Sequence, residues 1–562
     1  MDGFGIGVWL SLRPFVTGSL ALQPTMQTAP TATFRKSMNA LHTWAGVVLG
    51  SLIFVIFWTG TLSVFDREID RWMMPATRLA SPSTQPPTKL DGAVTDAATL
   101  LAKGAPQWFV RLPSERVPVV ELRWRDEKTK TTERRFLHPQ TGVLLKDADT
   151  LAGTGFIFPF HYTLHIKWMD IGEWLVGIAG MAMLLMVVSG AVMHRRIFAD
   201  FFIFRPKKKM QRASLDLHNL VGVLALPFHV LMPLSGVILL FSLYFPSAYL
   251  SQYPQAKDPK KAFTEEAYGQ YRLAKTNTPG QPNAIASLDA MLQSAEKQWP
   301  GGKADFVRVW LPGDAHSYVE LRRSYAKEVT MNLDQIYLDA ATGKVLKRFE
   351  AAPAMSVQRF IAGAHRLHFD HWLLRSLYFL GGLAGCVMIT TGFLFWLESR
   401  RASHAKNGMK GVRVVEALAV ASVPGIILAT LAFFIANRLL GAEASFKGNG
   451  RATLEMWAFY GVWLGTLGHA ALRKRVAWRE QTLAIVVLAL IAVLLNAATT
   501  GHHLGASLSQ GLWAVAGMDL LLLLTSGLAL VAARQLPANG ELVIIKAQKA
   551  EAQTLQGNVN HA

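Results

Sequence analysis

The sequence predicts a polytopic α-helical membrane protein of about eight spans, with two small α+β modules inserted between spans. Three observations predict it. The composition is 51% hydrophobic and only 17% charged. Apolar runs of roughly 20 residues, long enough to cross a bilayer, recur along the chain. Between some of them lie two long loops whose pattern changes to apolar/polar alternation. The runs fall at about 41–65, 172–196, 217–245, 371–397, 412–438, 453–471, 480–500 and 511–534.

Lys and Arg collect in alternate connections: 194–212 ("HRRIFADFFIFRPKKKMQR"), 399–413 ("SRRASHAKNGMKGVR") and 472–479 ("LRKRVAWR"), with Arg35 and Lys36 ahead of the first run. The positive-inside bias then places these segments and both termini in the cytoplasm, and the large loops at about 66–170 and 246–370 outside. The net charge of +19 is on this reading a topology signal with an attraction for anionic lipid. No RNP, zinc-finger or helix-turn-helix pattern supports nucleic-acid binding. The lone cysteine, Cys386, lies within the fourth run, so no intrachain disulfide braces the loops. Residues 1–34 are weakly apolar and broken by Gly and Pro; they read as a disordered tail or a mis-assigned start, with Met26 the better initiator. Residues 535–562 read as a cytoplasmic tail.

An internal repeat organises the rest. The first run opens "LHTWAGVVLG" and closes "FWTGTLSVF"; the third opens "LHNLVGVLAL" and closes "PLSGVILLF". His42 and Gly60 are eighteen residues apart, and so are His218 and Gly236. Eighteen steps make five whole helical turns, so each His shares a face with its Gly roughly 27 Å away. The loops repeat too. "RRFLHPQTGVLLK" (134–146) parallels "DQIYLDAATGKVLK" (334–347), each a strand, a Thr-Gly turn and a second strand, while 92–103 and 286–298 read as helices. The chain therefore divides into a span (35–65), a module (66–170), two spans with a basic connection (171–245), a second module (246–370), a span (371–400) and an appended four-span region (412–534).

An ionisable group in a span is a functional hypothesis by default. His42 and His218 occupy equivalent positions in the repeat, which suggests two imidazoles facing each other across a pseudo-two-fold axis. His165 and His368 are their outer counterparts, accompanied by His161, His365 and His371. His229 lies near the middle of the third run, interrupted by Pro227 and Pro233, and His194 closes the second. His138, His316, His404 and His561 read as solvated, and His502 and His503 as polar loop residues. A zinc hydrolase would need three protein ligands and a carboxylate base; "HYTLH" (161–165) has the spacing without the Glu. No C-x-x-C-H occurs for covalent haem attachment. Haem b suits the pattern better, because it takes one axial imidazole from each of two helices and needs small residues beside it. Gly46, Gly50, Gly60, Gly177, Gly180, Gly222, Gly236, Gly382 and Gly385 supply them. Histidines at both levels of the membrane would form a relay for single electrons. No G-x-G-x-x-G or Walker stretch is present, so a flavin reductant, a reductase partner or membrane quinol would supply the electrons.

The order "R…LH…G…TG", a "D/HPxTGxVL" loop module, "LH", then a span ending in Gly, resembles the PepSY-associated transmembrane proteins. Within these it is most similar to the inner-membrane ferric-siderophore reductases that carry two b-type haems. The likeness covers roughly 35–400 and leaves 412–562 outside. It implies PepSY-like periplasmic modules, a multi-pass protein of the bacterial inner membrane, and two haems b. It implies haem iron held by His42, His218, His165 and His368, with His229, His194, His161 and His365 as further haem-binding candidates. The implied reaction is reduction of a periplasmic ferric siderophore or other iron(III) chelate, releasing iron(II). Arg111, Trp124, Arg308, Trp310, Arg322 and Arg323 are candidates for meeting an anionic chelate. The alternative is a haem-free PepSY regulatory or binding protein, or a siderophore permease.

Overall fold

The structure, a computed structural model, describes residues 29–79, 88–146, 149–194, 204–206, 208–276, 278, 285–299, 301–407 and 411–538. Most of the N-terminal segment read as a tail, most of the C-terminal tail, and 195–203 of the first basic connection lie outside them.

Four long elements form the membrane layer of the repeat: α1 (Ala29–Ser63), α5 (Ile171–Met193), the pair α6 (Met210–Leu224) and α7 (Leu226–Leu239), and α13 (Trp372–Lys406). Helix α1 packs on α5 and α13, α13 packs on α6, and α5 packs on α7. The two halves of the repeat thus embrace each other. They are not identical. Helix α1 is continuous, whereas its counterpart bends by 69° between α6 and α7. The cause is local: Pro227 in the first turn of α7 has no N–H to continue the ladder, and Pro233 removes another donor within α7.

Five further helices belong to the appended region: α14 (Gly411–Ser422), α15 (Pro424–Leu439), α16 (Arg451–Arg473), α17 (Val476–Thr500) and α19 (Trp513–Gln535), with a short α18 (Leu504–Ser509) and a two-stranded turn, β8 (Ser445–Phe446) with β9 (Asn449–Gly450). Among the described residues six helices are long and apolar enough to cross a membrane, or seven spans if α6 and α7 count as one. The expected count of about eight is not reached by length and apolar composition. The run at about 453–471 does form a helix, α16, but it is not among the helices that qualify by length and hydropathy. Helices α14 and α15 together make one span.

Above the helices sits a single seven-stranded antiparallel sheet in the order β3-β2-β1-β4-β5-β6-β7. The first loop supplies β1 (Gln107–Arg111), β2 (Val120–Arg125) and β3 (Thr132–Leu137); the second supplies β4 (Ala304–Trp310), β5 (Tyr318–Arg323), β6 (Gln335–Asp339) and β7 (Val345–Phe349). The two expected modules are therefore joined: β1 pairs with β4 from Gln107↔Trp310 to Arg111↔Phe306. One sheet face is apolar, with Trp108, Val110, Leu122, Val307, Val309 and Leu321 packed under α3 (Ala93–Leu101) and α11 (Leu288–Gln298). Ser287 caps α11, its Oγ accepting from the Ala290 N–H at 3.0 Å. The hairpin expected at 134–146 is only half formed: β3 is followed by one isolated bridge, Leu137 to Leu144. The other sheet face is charged. It meets α2 (Asp66–Met73), where Arg134 contacts Asp70 at 3.4 Å, and Arg116, from the loop after β1, donates to Glu68 at 2.9 Å. Short helices α4 (Phe158–Thr163) and α12 (Ser356–Arg366) lead from the sheet layer back to the membrane, and α8 (Phe241–Tyr244), α9 (Ser247–Gln252) and α10 (Pro259–Ala267) connect α7 to the second loop.

The appended helices share one apolar core with α1 and α2, in which Phe54, Trp72 and Phe156 meet Ile426, Phe433 and Phe434. Polar groups fasten the same seam. Asp519 accepts from Trp72 Nε1 at 2.8 Å, Asn496 from Arg78 at 2.9 Å, and the Met73 carbonyl from Arg438 at 2.6 Å. Buried polar groups are costly unless paired, so these bonds fix how the region docks.

Candidate functional site: two facing imidazole pairs

At the end of the helices away from the sheet, His42 of α1 and His218 of α6 face each other with ring centroids 6.2 Å apart and planes 87° apart. His42 Nδ1 lies 2.9 Å from the Met186 carbonyl and 3.2 Å from Ser189 Oγ on α5. His218 Nδ1 lies 2.8 Å from the Met388 carbonyl on α13. A carbonyl only accepts, so each Nδ1 carries the proton and each Nε2 keeps its lone pair. This is how proteins orient an imidazole that ligates a metal. The seats match as well. A Cβ added at Gly190 would stand 3.3 Å from His42 Cε1, and one at Gly392 would stand 3.3 Å from His218 Cε1.

At the sheet end, the facing pair is His161 of α4 and His365 of α12, with centroids 6.3 Å apart and planes 25° apart. His161 Nδ1 bonds to the Ile56 carbonyl at 2.9 Å, and His365 Nδ1 lies 2.8 Å from Ser235 Oγ. Gly60 and Gly236, the glycines of the eighteen-residue spacing, are their seats: an added Cβ would come within 2.6 Å of His161 and 3.1 Å of His365. Both rings line a cavity of about 540 Å³ between α1, α5, α7 and α13, whose walls include Gly177, Gly180 and Gly382. That volume falls within the usual range for a small-molecule or cofactor site, roughly 300–1,000 Å³.

The expected outer pair, His165 and His368, does not face across the axis. Each follows a residue in the left-handed conformation, Leu164 (φ 50°) and Leu367 (φ 55°), which ends its helix and turns the chain away. His165 is spent on other partners: Nδ1 lies 3.0 Å from Tyr460 Oη and Nε2 3.0 Å from the Phe156 carbonyl. His368 Nδ1 lies 2.6 Å from Tyr325 Oη. His194 closes α5, its N–H donating to the Gly190 carbonyl at 3.2 Å. His229 is fully buried in α7 beside Phe57 and Phe228, and neither ring nitrogen makes a hydrogen bond among the described residues. The cationic residues singled out on the sheet are balanced: Arg111 meets Glu121 (3.7 Å) and Asp305 (3.8 Å), Arg308 and Arg322 meet Glu320, and Arg323 meets Glu328 and Asp334. Trp124 lies under Arg135, and Trp310 donates to Glu320 at 2.8 Å.

The pairs fit a metal held between two rings. With the metal roughly 2 Å from each Nε2 and each centroid about 1.15 Å behind its nitrogen, the centroids stand about 6.3 Å apart. Both pairs have that separation, a bonded Nδ1 on each ring, and a glycine against which each ring seats. Among the described residues no group of three or more His, Cys, Asp or Glu converges on one point, as the zinc-hydrolase reading would need. Sequence reasoning missed Met186, Ser189, Gly190, Ser235, Met388 and Gly392, which hold the rings. The signal was there in part: Gly190 and Gly392 are the Ser-Gly and Thr-Gly that close their runs.

Comparison with known proteins agrees with this organisation. An uncharacterised protein of Pseudomonas aeruginosa is 27% identical over 379 residues, which is 64% of this chain and 89% of that protein. Residues 40–399, the four membrane elements of the repeat, the two loops and both imidazole pairs, match the model of the PepSY-associated TM region. This chain, a multi-pass membrane protein, belongs to the PepSY-associated TM family.

Proposed function

We propose that the chain is a haem b oxidoreductase of the bacterial inner membrane that passes electrons across the bilayer to a ferric siderophore or other iron(III) chelate. The observation that carries this is the doubling: two imidazole pairs at metal-bridging separation, one at each end of the same four helices. His42 and His218 would hold one haem and His161 and His365 the other, and the group would supply reversible one-electron transfer. The protein's own part is to hold the rings. Met186, Met388 and Ile56 carbonyls and Ser235 fix the tautomers, and the seat glycines keep the rings from tilting. The basic connections orient the sheet to the periplasmic side, where iron(III) chelates would dock. The donor is a cytoplasmic reductant or quinol. Purified protein should be red, with a Soret band that shifts on dithionite and close to two haems b per chain; folded, colourless protein would end this reading.

A carrier for siderophores is the second reading, because the 69° break between α6 and α7 resembles the discontinuous helices of transporters. Proteoliposome uptake of a ferric chelate without its reduction would favour it.

A further inference from the structure

We propose that Arg366 and His368 form a carboxylate-binding rim at the sheet-side mouth of the cavity, which takes the two acidic side chains of a planar macrocycle held between His161 and His365. The proposal rests on the haem reading above, and names residues toward that group that lie outside the ligand pairs.

Both residues line the cavity. Arg366 is the last residue of α12, next to His365, so its side chain leaves the helix where the ring pair does. Its surroundings set it apart from the paired arginines of this layer. Arg116 meets Glu68 and Asp66, Arg375 meets Glu68, and Arg134 meets Asp70. Arg366 has no carboxylate within 4.0 Å among the described residues; its side chain reaches only Met331 Sδ at 3.7 Å. Arg67, close enough to act on His368, has no ion pair either among the described residues, and burial followed by repulsion from Arg116 and Arg111 lowers its pKa.

His368 completes the rim. Its Nδ1 is held by Tyr325 at 2.6 Å, while its Nε2 makes no hydrogen bond among the described residues. Burial, and then Arg67, Arg111 and Arg366, hold this imidazole well below its ordinary value, so it is neutral. The rim assigns the Tyr325 hydroxyl as the donor to Nδ1, the tautomer in which Nε2 carries the proton and can donate to a carboxylate. The cavity wall also holds two acids. Asp66 is answered by Arg116 at 3.3 Å, and Glu173 forms no ion pair within 4.0 Å among the described residues, Lys260 being the cation that acts on it. A guanidinium and a neutral N–H donor, in a surplus of positive charge, match carboxylates. The pairing also explains the split of labour between neighbours in "HRLH" (365–368): His365 faces its partner ring, and Arg366 and His368 turn to the mouth.

The test is absorption titration of the full chain, purified without porphyrin in detergent, with haem and with haem dimethyl ester, whose carboxylates are blocked. Wild type should bind haem about tenfold to a hundredfold tighter than the ester, the range expected for a charge-assisted hydrogen bond. Arg366→Gln should weaken haem toward the ester's affinity and leave the ester unchanged; His368→Asn should do the same to a smaller extent. Equal affinity of wild type for the two porphyrins, or equal weakening of both by Arg366→Gln, would overturn the rim while the haem reading stands. No Soret shift with either porphyrin would overturn the haem reading, and the rim with it. Arg366 is exposed and holds no ion pair, so its variant should fold; thermal unfolding of the titrated samples checks that.

Discussion

Gly60 and His161 are packed so closely that a single methyl group would not fit between them: a Cβ on Gly60 would lie 2.6 Å from the imidazole Cε1. The ring cannot easily retreat, because its Nδ1 is bonded to the Ile56 carbonyl one turn away on the same helix. Gly60→Ala should therefore tilt His161 and cost about 1–3 kcal/mol of stability, as overpacking does. Gly236→Ala, with 3.1 Å to His365, should act in the same direction more weakly. Thermal unfolding in detergent ranks the two, and haem content should fall further in the first.

The proposed haem reading gives a sharper contrast. On it, His161→Ala or His365→Ala should remove one of two haems, and His42→Ala or His218→Ala the other. His165→Ala and His368→Ala should retain two, with at most weakened binding in the second. Pyridine haemochrome quantification decides it, and loss of a haem in His165→Ala would return that residue to the ligand set.

Glu68 bridges two buried guanidiniums, Arg116 at 2.9 Å and Arg375 at 2.8 Å. Burial alone would raise its pKa, but the two arginines overrule that and hold the carboxyl at about 2. Because the folded value lies below the unfolded one, the contribution is fully present above the ordinary carboxylate range and is lost as pH falls toward 2. Glu68→Gln should cost about 3–5 kcal/mol at neutral pH, since it strands buried charge. It should also flatten the acid limb of the stability profile between about pH 4.5 and 2; thermal melts over that range measure both.

Asp519 tests the dock of the appended region. It accepts from Trp72 Nε1 at 2.8 Å and from Asn496 Nδ2 at 3.1 Å, all buried. Asp519→Leu leaves the Trp72 donor unsatisfied, at about 1–3 kcal/mol, while Asn496 Nδ2 keeps the His502 carbonyl at 3.3 Å. Melting temperature should drop while haem content at the His42 and His218 end is retained.

Much of this architecture could be read from the chain because its causes are local. Apolar runs, alternate basic connections and the eighteen-residue spacing each follow from one or two turns of backbone, and Ser287 announces α11. The ring positions at the sheet end could not. The choice between His161 and His165 depends on Leu164 adopting φ 50°, a conformation that no residue in "FHYTLH" advertises. Pairing of β1 with β4 was equally hidden, since it joins segments nearly two hundred residues apart whose alternation is the same whether they pair or stay separate. The helix α16 lay between, long enough to span yet less apolar than a count of runs suggests. Proximity of His42 and His218 was legible from the repeat; what they hold was not.

The ladder from Gln107↔Trp310 to Arg111↔Phe306 stitches the two halves of the chain together over the membrane. A machine that worked by rocking one half against the other would have to tear that seam and re-sew it in every cycle. A fixed wire needs no such movement, only cargo arriving at its end.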